Sequence, residues 1–131
     1  MKVIMKVVRG SDLKFIPASH EDSKDPGVFK KILAMKEDII NGHVQMINWA
    51  KMPIGKSFAS HYHEDMQEVF IIISGTAKIE VSNQIEQLNE GDAVIIPAKA
   101  VHKMTNIGLK DLDYLVVGIS QELNGKTVNV S

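Results

Sequence analysis

Residues 55–75 read GKSFASHYHEDMQEVFIIISG. Within them, His61-Tyr62-His63 sets two imidazoles two residues apart, and the period of an extended strand places both on one face. Glu68 lies an odd number of residues after both histidines, so in one unbroken strand it would face the other way. The polar run Glu64-Asp65-Met66-Gln67 therefore reads as a turn or bulge. After it, Val69-Phe70-Ile71-Ile72-Ile73 restarts as an apolar strand with Glu68 at its mouth. His102 follows from another strand, beyond turns at Asn89-Glu90-Gly91-Asp92 and Pro97, so three of the five histidines lie between Gly55 and Asn106. Three imidazoles and one carboxylate are donors for a transition metal, and they leave positions on a six-coordinate ion for a substrate or dioxygen. On residue types alone a second reading stands beside this one: two half-exposed strand histidines, and a glutamate opening a strand on its solvent side.

The spacing over 55–106 resembles the two motifs of the cupin superfamily. Gly55, five residues, His61, His63, four residues, Glu68, six residues and Gly75 fall into the register of the first motif. Gly91, five residues, Pro97, then His102 and Asn106 fall into that of the second. The fifteen residues from Thr76 to Glu90 match the short connection of small microbial cupins. The resemblance implies an all-β, double-stranded β-helix (jelly-roll) barrel of the small single-domain, conserved-barrel type. It also implies that His61, His63, Glu68 and His102 are ligands of a divalent transition metal, with Zn, Mn, Fe, Ni, Co and Cu all admissible. One position departs from the pattern. Two residues after the second-motif proline, where the family usually has glycine, this chain has Lys99, so that turn cannot rely on a glycine's freedom to take a positive φ.

The rest of the chain is consistent with one domain. At 131 residues it can bury a single core without staples. No cysteine is present, which excludes disulfides, thiolate ligands and a cysteine nucleophile. Fifteen lysines and arginines against 16 acids give a net charge of −1, which provides no global attraction for nucleic acid or an anionic membrane. The start, Met1 to Val8, is too short and too charged for a signal peptide, and no apolar run approaches a membrane span. A cytoplasmic protein is expected.

Residues 1–27 are expected to form an N-terminal strand and loop arm, and 28–131 the barrel. In the arm, Met1 to Val8 reads as a strand and Ser11 to Gly27 as a loop rich in turn residues. A loop this long calls for a reason. One is that the N-terminal strand pairs with a neighbouring subunit in a homodimer, as in similar small cupins; the other is that the loop packs on its own barrel. His20 with Glu21 and Asp22 reads as a second, weaker candidate metal site against a background of solvated loop residues. Val28 to Met35 and His43 to Lys51 are expected strands, separated by a connection ending in an Asn41-Gly42 turn, and His43 reads as an exposed strand end. Phe58 to His63, Thr76 to Val81, Gln84 to Leu88, Ala93 to Pro97 (short and buried), Val101 to Thr105 and Tyr114 to Ser120 follow. Ser82-Asn83 is a turn, and Asn124-Gly125 a hairpin into Lys126 to Val130. Many short strands and no amphipathic helix indicate an all-β sandwich or barrel.

Parity sketches the pocket. With Glu68 and His102 inward, Phe70, Ile72 and Met104 share their faces and become candidate pocket lining beside the metal, or plain core. Lys99 and Lys103 near the mouth are candidates to attract an anion. The single arginine, Arg9, is remote from the motifs, which argues against a bidentate arginine clamp. Three functions are weighed: a metal-dependent enzyme, dioxygenase-like or isomerase-like, acting on a small organic substrate at the barrel mouth; a non-catalytic small-molecule or sugar-binding module that keeps the metal; and a barrel used only for assembly. The ligand set favours the first, and no residue near it is marked as an additional general base.

Overall fold

The computed structural model describes residues 6, 8–40, 43–122 and 125–130. Eleven strands run in chain order: β1 Ile16–Pro17, β2 Phe29–Met35, β3 Val44–Met52, β4 His61–His63, β5 Met66–Ser74, β6 Ala77–Val81, β7 Gln84–Leu88, β8 Ala93–Ile96, β9 His102–Asn106, β10 Leu112–Ser120 and β11 Thr127–Asn129. They form two antiparallel sheets, one in the order β1-β2-β3-β10-β5-β8 and the other β11-β4-β9-β6-β7. This is the all-β, double-stranded β-helix architecture that the motif spacing implies. No helix among the described residues is long and apolar enough to cross a membrane.

The alternation seen in the sequence becomes burial. In β5, Met66, Glu68, Phe70 and Ile72 turn inward while Gln67, Ile71 and Ile73 face out, and in β9 His102, Met104 and Asn106 turn inward. The inward rows of both sheets meet in one core in which Met52, Ile72, Met104 and Leu112 are at most 1% exposed. Burying an aliphatic side chain of this size stabilises the fold by roughly 1.5–3 kcal/mol. Asn106 staples the far end of β9, donating to the carbonyls of Met52 and Lys110 and accepting the Gly108 N–H.

Several boundaries differ from expectation. The phase change before Glu68 takes only Glu64 and Asp65, so β5 begins at Met66 rather than Val69. Ahead of β4, Phe58 to Ser60 are not strand, because the chain is still leaving a turn in which the Lys56 N–H caps the Pro53 carbonyl, and only Ser57 bridges to Thr105. The strand at Ala93 is not buried: β8 lies at the sheet edge, where Ile95 is 62% exposed and Ile96 alone is enclosed. Ser82 and Asn83 carry φ of 44° and 72°, the double positive φ that a two-residue hairpin demands. The expected Met1–Val8 strand and the turns at Asn41-Gly42 and Asn124-Gly125 fall wholly or partly outside the described residues.

The loop before β2 packs on the barrel. Ile16 and Pro17 pair with Lys30 and Phe29, and Ala18 joins the core. Glu21 accepts the backbone N–H groups of Gly27 at 2.8 Å and Ala59 at 2.9 Å, clamping the loop to the segment that leads into β4. Gly27 is obligatory there, since a Cβ would lie 1.8 Å from the Ser57 carbonyl oxygen.

Candidate metal centre and its cavity

The donors converge from both sheets. His61 and His102 are direct cross-strand partners on β4 and β9, their ring centroids 4.4 Å apart. His63 shares the His61 face, and Glu68 reaches over from β5 of the opposing sheet. One donor atom from each of the four lies within 4.8 Å of all the others, and the four side chains are buried.

Each ring is held from its outer nitrogen. His61 Nδ1 lies 2.6 Å from the Ala59 carbonyl and His102 Nδ1 2.9 Å from the Ala100 carbonyl. Donation to a carbonyl fixes the proton on Nδ1 and leaves the Nε2 lone pair facing inward. His63 Nδ1 sits 3.0 Å from Thr127 Oγ1, its cross-strand neighbour on β11. The inner nitrogens crowd one carboxylate oxygen: Glu68 Oε1 is 2.9 Å from His63 Nε2 and 3.2 Å from His102 Nε2. The second contact is out of line for a hydrogen bond, and His102 Nε2 is a buried polar atom without a partner.

Electrostatics prepares the same set. Burial lowers His61 to about 3, so its imidazole stays neutral at ordinary pH; the bond to Ala59 opposes the shift and His102 reinforces it. Burial works against ionisation of Glu68, but contact with His102 and His63 outweighs it and holds the carboxyl down at about 2. An ionised carboxylate, inward lone pairs and an orphaned buried nitrogen fit a divalent transition-metal ion.

A cavity of about 370 Å³ opens from His61, His63 and Glu68 towards β2 and β3. Phe58, Phe70, Ala50 and Val116 give it apolar walls. Gly118, level with Met46 on one side and Glu68 on the other, keeps that row low, since a Cβ there would meet both the Met46 and Met66 sulfurs.

Comparison with known proteins agrees with the fold and the spacing. The family described as Cupin domain matches residues 48–118, more than half of the chain. The chain belongs to this cupin family. An uncharacterized protein of Methanocaldococcus jannaschii is 27% identical over 106 residues, 81% of each chain. The mannose-1-phosphate guanylyltransferase of Escherichia coli is 30% identical over 63 residues, which are 48% of this chain but 13% of that protein. Among solved structures, a predicted oxalate decarboxylase of Thermotoga maritima superposes with a TM-score of 0.77 at 27% identity, covering 88% of this chain and 99% of that one.

In this cupin the structure brings His61, His63, Glu68 and His102 together, and Phe70 lines the cavity beside them. Ile72 and Met104 do not reach the cavity: they are sealed in the core, at 1% and 0% exposure. Lys99 lies in a separate depression beside Tyr62 and Glu64, and Lys103 points outward. Lys99 nonetheless takes φ of 68° without being glycine, and its N–H donates to the His63 carbonyl at 2.7 Å, tying the second-motif turn to the ligand strand. His20, Glu21 and Asp22 do not form a donor cluster. Glu21 is spent on the Gly27 and Ala59 amides, Asp22 accepts the Lys24 N–H, and the His20 ring packs 4.4 Å from that of His61 on the cavity wall. His43 is exposed, as expected.

Sequence reasoning missed Asn48, Tyr114 and Lys30 as cavity residues. Asn48 carried a signal: it shares strand phase with Met46, Ala50 and Met52, so a polar residue stands in an apolar row. His20 carried none, because no periodicity places a loop residue.

Proposed function

We propose that this cupin is a metal-dependent enzyme acting on a small organic substrate, with His61, His63, Glu68 and His102 holding one divalent transition metal among Zn, Mn, Fe, Ni, Co and Cu. The observation that carries the reading is the convergence of four buried N/O donors, three of which, His61, His63 and Glu68, line a cavity of small-molecule size. A metal used only to hold the fold is ordinarily enclosed by its ligands, whereas here His61, His63 and Glu68 line open space. When bound, such a metal supplies Lewis-acid or redox chemistry at a substrate oxygen. The chain's own residues orient the donors through Ala59, Ala100 and Thr127, keep the site dry with Phe58 and Phe70, and hold Glu68 ionised. Dioxygenase-like and isomerase-like chemistry both suit this arrangement. The description of the Thermotoga maritima relative adds decarboxylation of a small acid as a third type. The sugar-binding alternative draws on the guanylyltransferase match, over only 13% of that protein.

The test is metal analysis of protein purified without a histidine tag, followed by chelation. About one equivalent of metal is expected, lost in His61→Ala. Chelation should lower Tm by a few degrees while the β-sheet signal persists, because the core of Met52, Ile72 and Leu112 closes without the metal. Binding well below one equivalent, unchanged by His61→Ala, refutes the site; collapse of the sheet on chelation makes the metal structural. Assays with small acids, phenolics and sugars then separate the chemistries: oxygen uptake marks the oxygenase, and conversion without uptake the isomerase.

A further inference from the structure

The cavity that His61, His63 and Glu68 border is also lined by polar groups that form no ion pair among the described residues. Asn48 is 8% exposed and lines the cavity, yet its Oδ1 has no hydrogen-bond partner. Tyr114, on the neighbouring strand β10, is 2% exposed and lines the same space, with no hydrogen bond from its hydroxyl among the described residues. Burial pushes that hydroxyl up, so it stays a protonated donor. Lys30, on β2, shares the inward face with Ile32 and donates to Ser19 Oγ at 2.7 Å. Its only resolved perturbation is burial, which lowers it; no carboxylate offsets that. The unpartnered Oδ1 only accepts hydrogen bonds, so the group that Asn48 offers to an acceptor in the cavity is its side-chain N–H2, which makes no hydrogen bond among the described residues.

The register gives Asn48 and Lys30 their distance from the strand carrying Glu68. Asn48 pairs with Val116, and Val116 with Phe70, so β10 separates Asn48 from the strand carrying Glu68. Two strand spacings are about 10 Å. Lys30 lies one strand further out. Between the two ends the walls are Phe58, Phe70, Ala50 and Val116. A two-carbon diacid is too short to touch both ends, whereas a molecule with a ring-sized apolar body reaches. The ammonium of Lys30, bonded to the Ser19 hydroxyl but to no carboxylate among the described residues, stands beside an amide N–H2 and a phenol and selects an anion that accepts several hydrogen bonds, and the modest cavity selects a single carboxylate over a larger phosphorylated group.

We propose that Lys30, Asn48 and Tyr114 form a carboxylate-recognition subsite, and that the substrate of this cupin is a small monocarboxylic acid with a ring-sized apolar body. The inference rests on the proposed metal site only for what meets the opposite end of the molecule. Two acidic groups in the cavity lining oppose an anion, Glu37 at the rim, which its neighbour Lys36 balances, and the ionised Glu68, which the proposed metal would balance.

The test compares 4-hydroxybenzoate with its uncharged analogue 4-hydroxybenzamide, titrated calorimetrically into the full chain in chelated and metal-loaded form, with bound metal measured in the same samples. The acid should bind about tenfold more tightly than the amide in both forms. Lys30→Met should erase that preference and Lys30→Arg retain most of it. Asn48→Leu should weaken the acid several-fold in a protein that melts no lower than wild type. Equal affinity for acid and amide, no saturable binding of the acid in the millimolar range, or an unchanged preference in Lys30→Met overturns the proposal. A preference for the acid that persists when no metal binds refutes the metal reading and leaves this one standing; bound metal without the preference does the reverse.

Discussion

Asn48→Leu should make the empty protein more stable. The amide is buried, its Oδ1 has no partner, and it faces an apolar row of Met46, Ala50 and Val116. Leaving such a group unsatisfied costs about 1–3 kcal/mol, a cost the substitution removes. Leucine adds apolar contact with that row, but the cavity beside it stays open, so the gain is well below the roughly 1.5–3 kcal/mol of full burial. A net stabilisation of about 1–3 kcal/mol follows, or a rise in Tm of about 3–10 °C for a domain of this length. Urea unfolding of the chelated protein measures it, with Asn48→Ala as the control: it relieves the amide but enlarges the cavity, and should fall near zero. A loss of 1 kcal/mol or more in Asn48→Leu would refute the reasoning, because it would mean that the amide is already satisfied in the empty protein. Saturating acid ligand should reverse the order of the two proteins, the signature of stability given up for binding.

The metal-free protein should lose stability as pH falls from neutral. The His61 folded value of about 3 lies below the ordinary 6.5, so in that window only the unfolded chain takes the proton; the contribution is present above 6.5 and lost towards 3, at up to about 1.4 kcal/mol per pH unit. Below 4.5, where Glu68 is held down to about 2, the loss should steepen in the same direction. Urea midpoints between about pH 7 and 5 for wild type and His61→Gln check this, and equal slopes in the two would refute it. Gly27→Ala should cost about 3 kcal/mol or more, since its Cβ would fall 1.8 Å from a backbone oxygen that Glu21 and the Ser57–Thr105 bridge hold in place; an unfolding free energy within 1 kcal/mol of wild type would show that this loop is free to shift.

Where the chain is extended, the sequence was legible because a strand has only two faces. Once Glu68 and His102 are taken as inward-facing ligands, parity sets the phases of β5 and β9, and it demands a phase change between His63 and Glu68. Parity distinguishes inward from outward but not cavity from core: Phe70 and Ile72 share a face, yet one borders open space and the other is sealed in the core. That difference depends on which strand of the other sheet lies opposite, and no local pattern encodes it. Edge position is equally hidden. Ala93 to Ile96 has the composition of a central strand, and only the sheet order shows that it has a partner on one side. At Lys99 the missing glycine suggested a different turn, but the backbone keeps a positive φ, at a cost on the order of 1 kcal/mol, because its N–H closes on His63.

The loop from Ser19 to Gly27 was the least legible part, and it governs the geometry of the site. Glu21 fixes the Ala59 N–H, the Ala59 carbonyl fixes His61 Nδ1, and His61 Nε2 faces the donor cluster, so two hydrogen bonds connect a loop residue to the orientation of a candidate ligand. The same loop supplies His20 to the cavity wall and Ser19 to Lys30. The donors are thus set by the barrel's strand register, whereas the far end of the cavity is shaped by β2, β3 and a loop anchored through one carboxylate. Substitutions in this loop can change what the cavity admits without altering the strand pairing that gathers the donors, and this gives a physical basis for one barrel and donor set to serve different substrates.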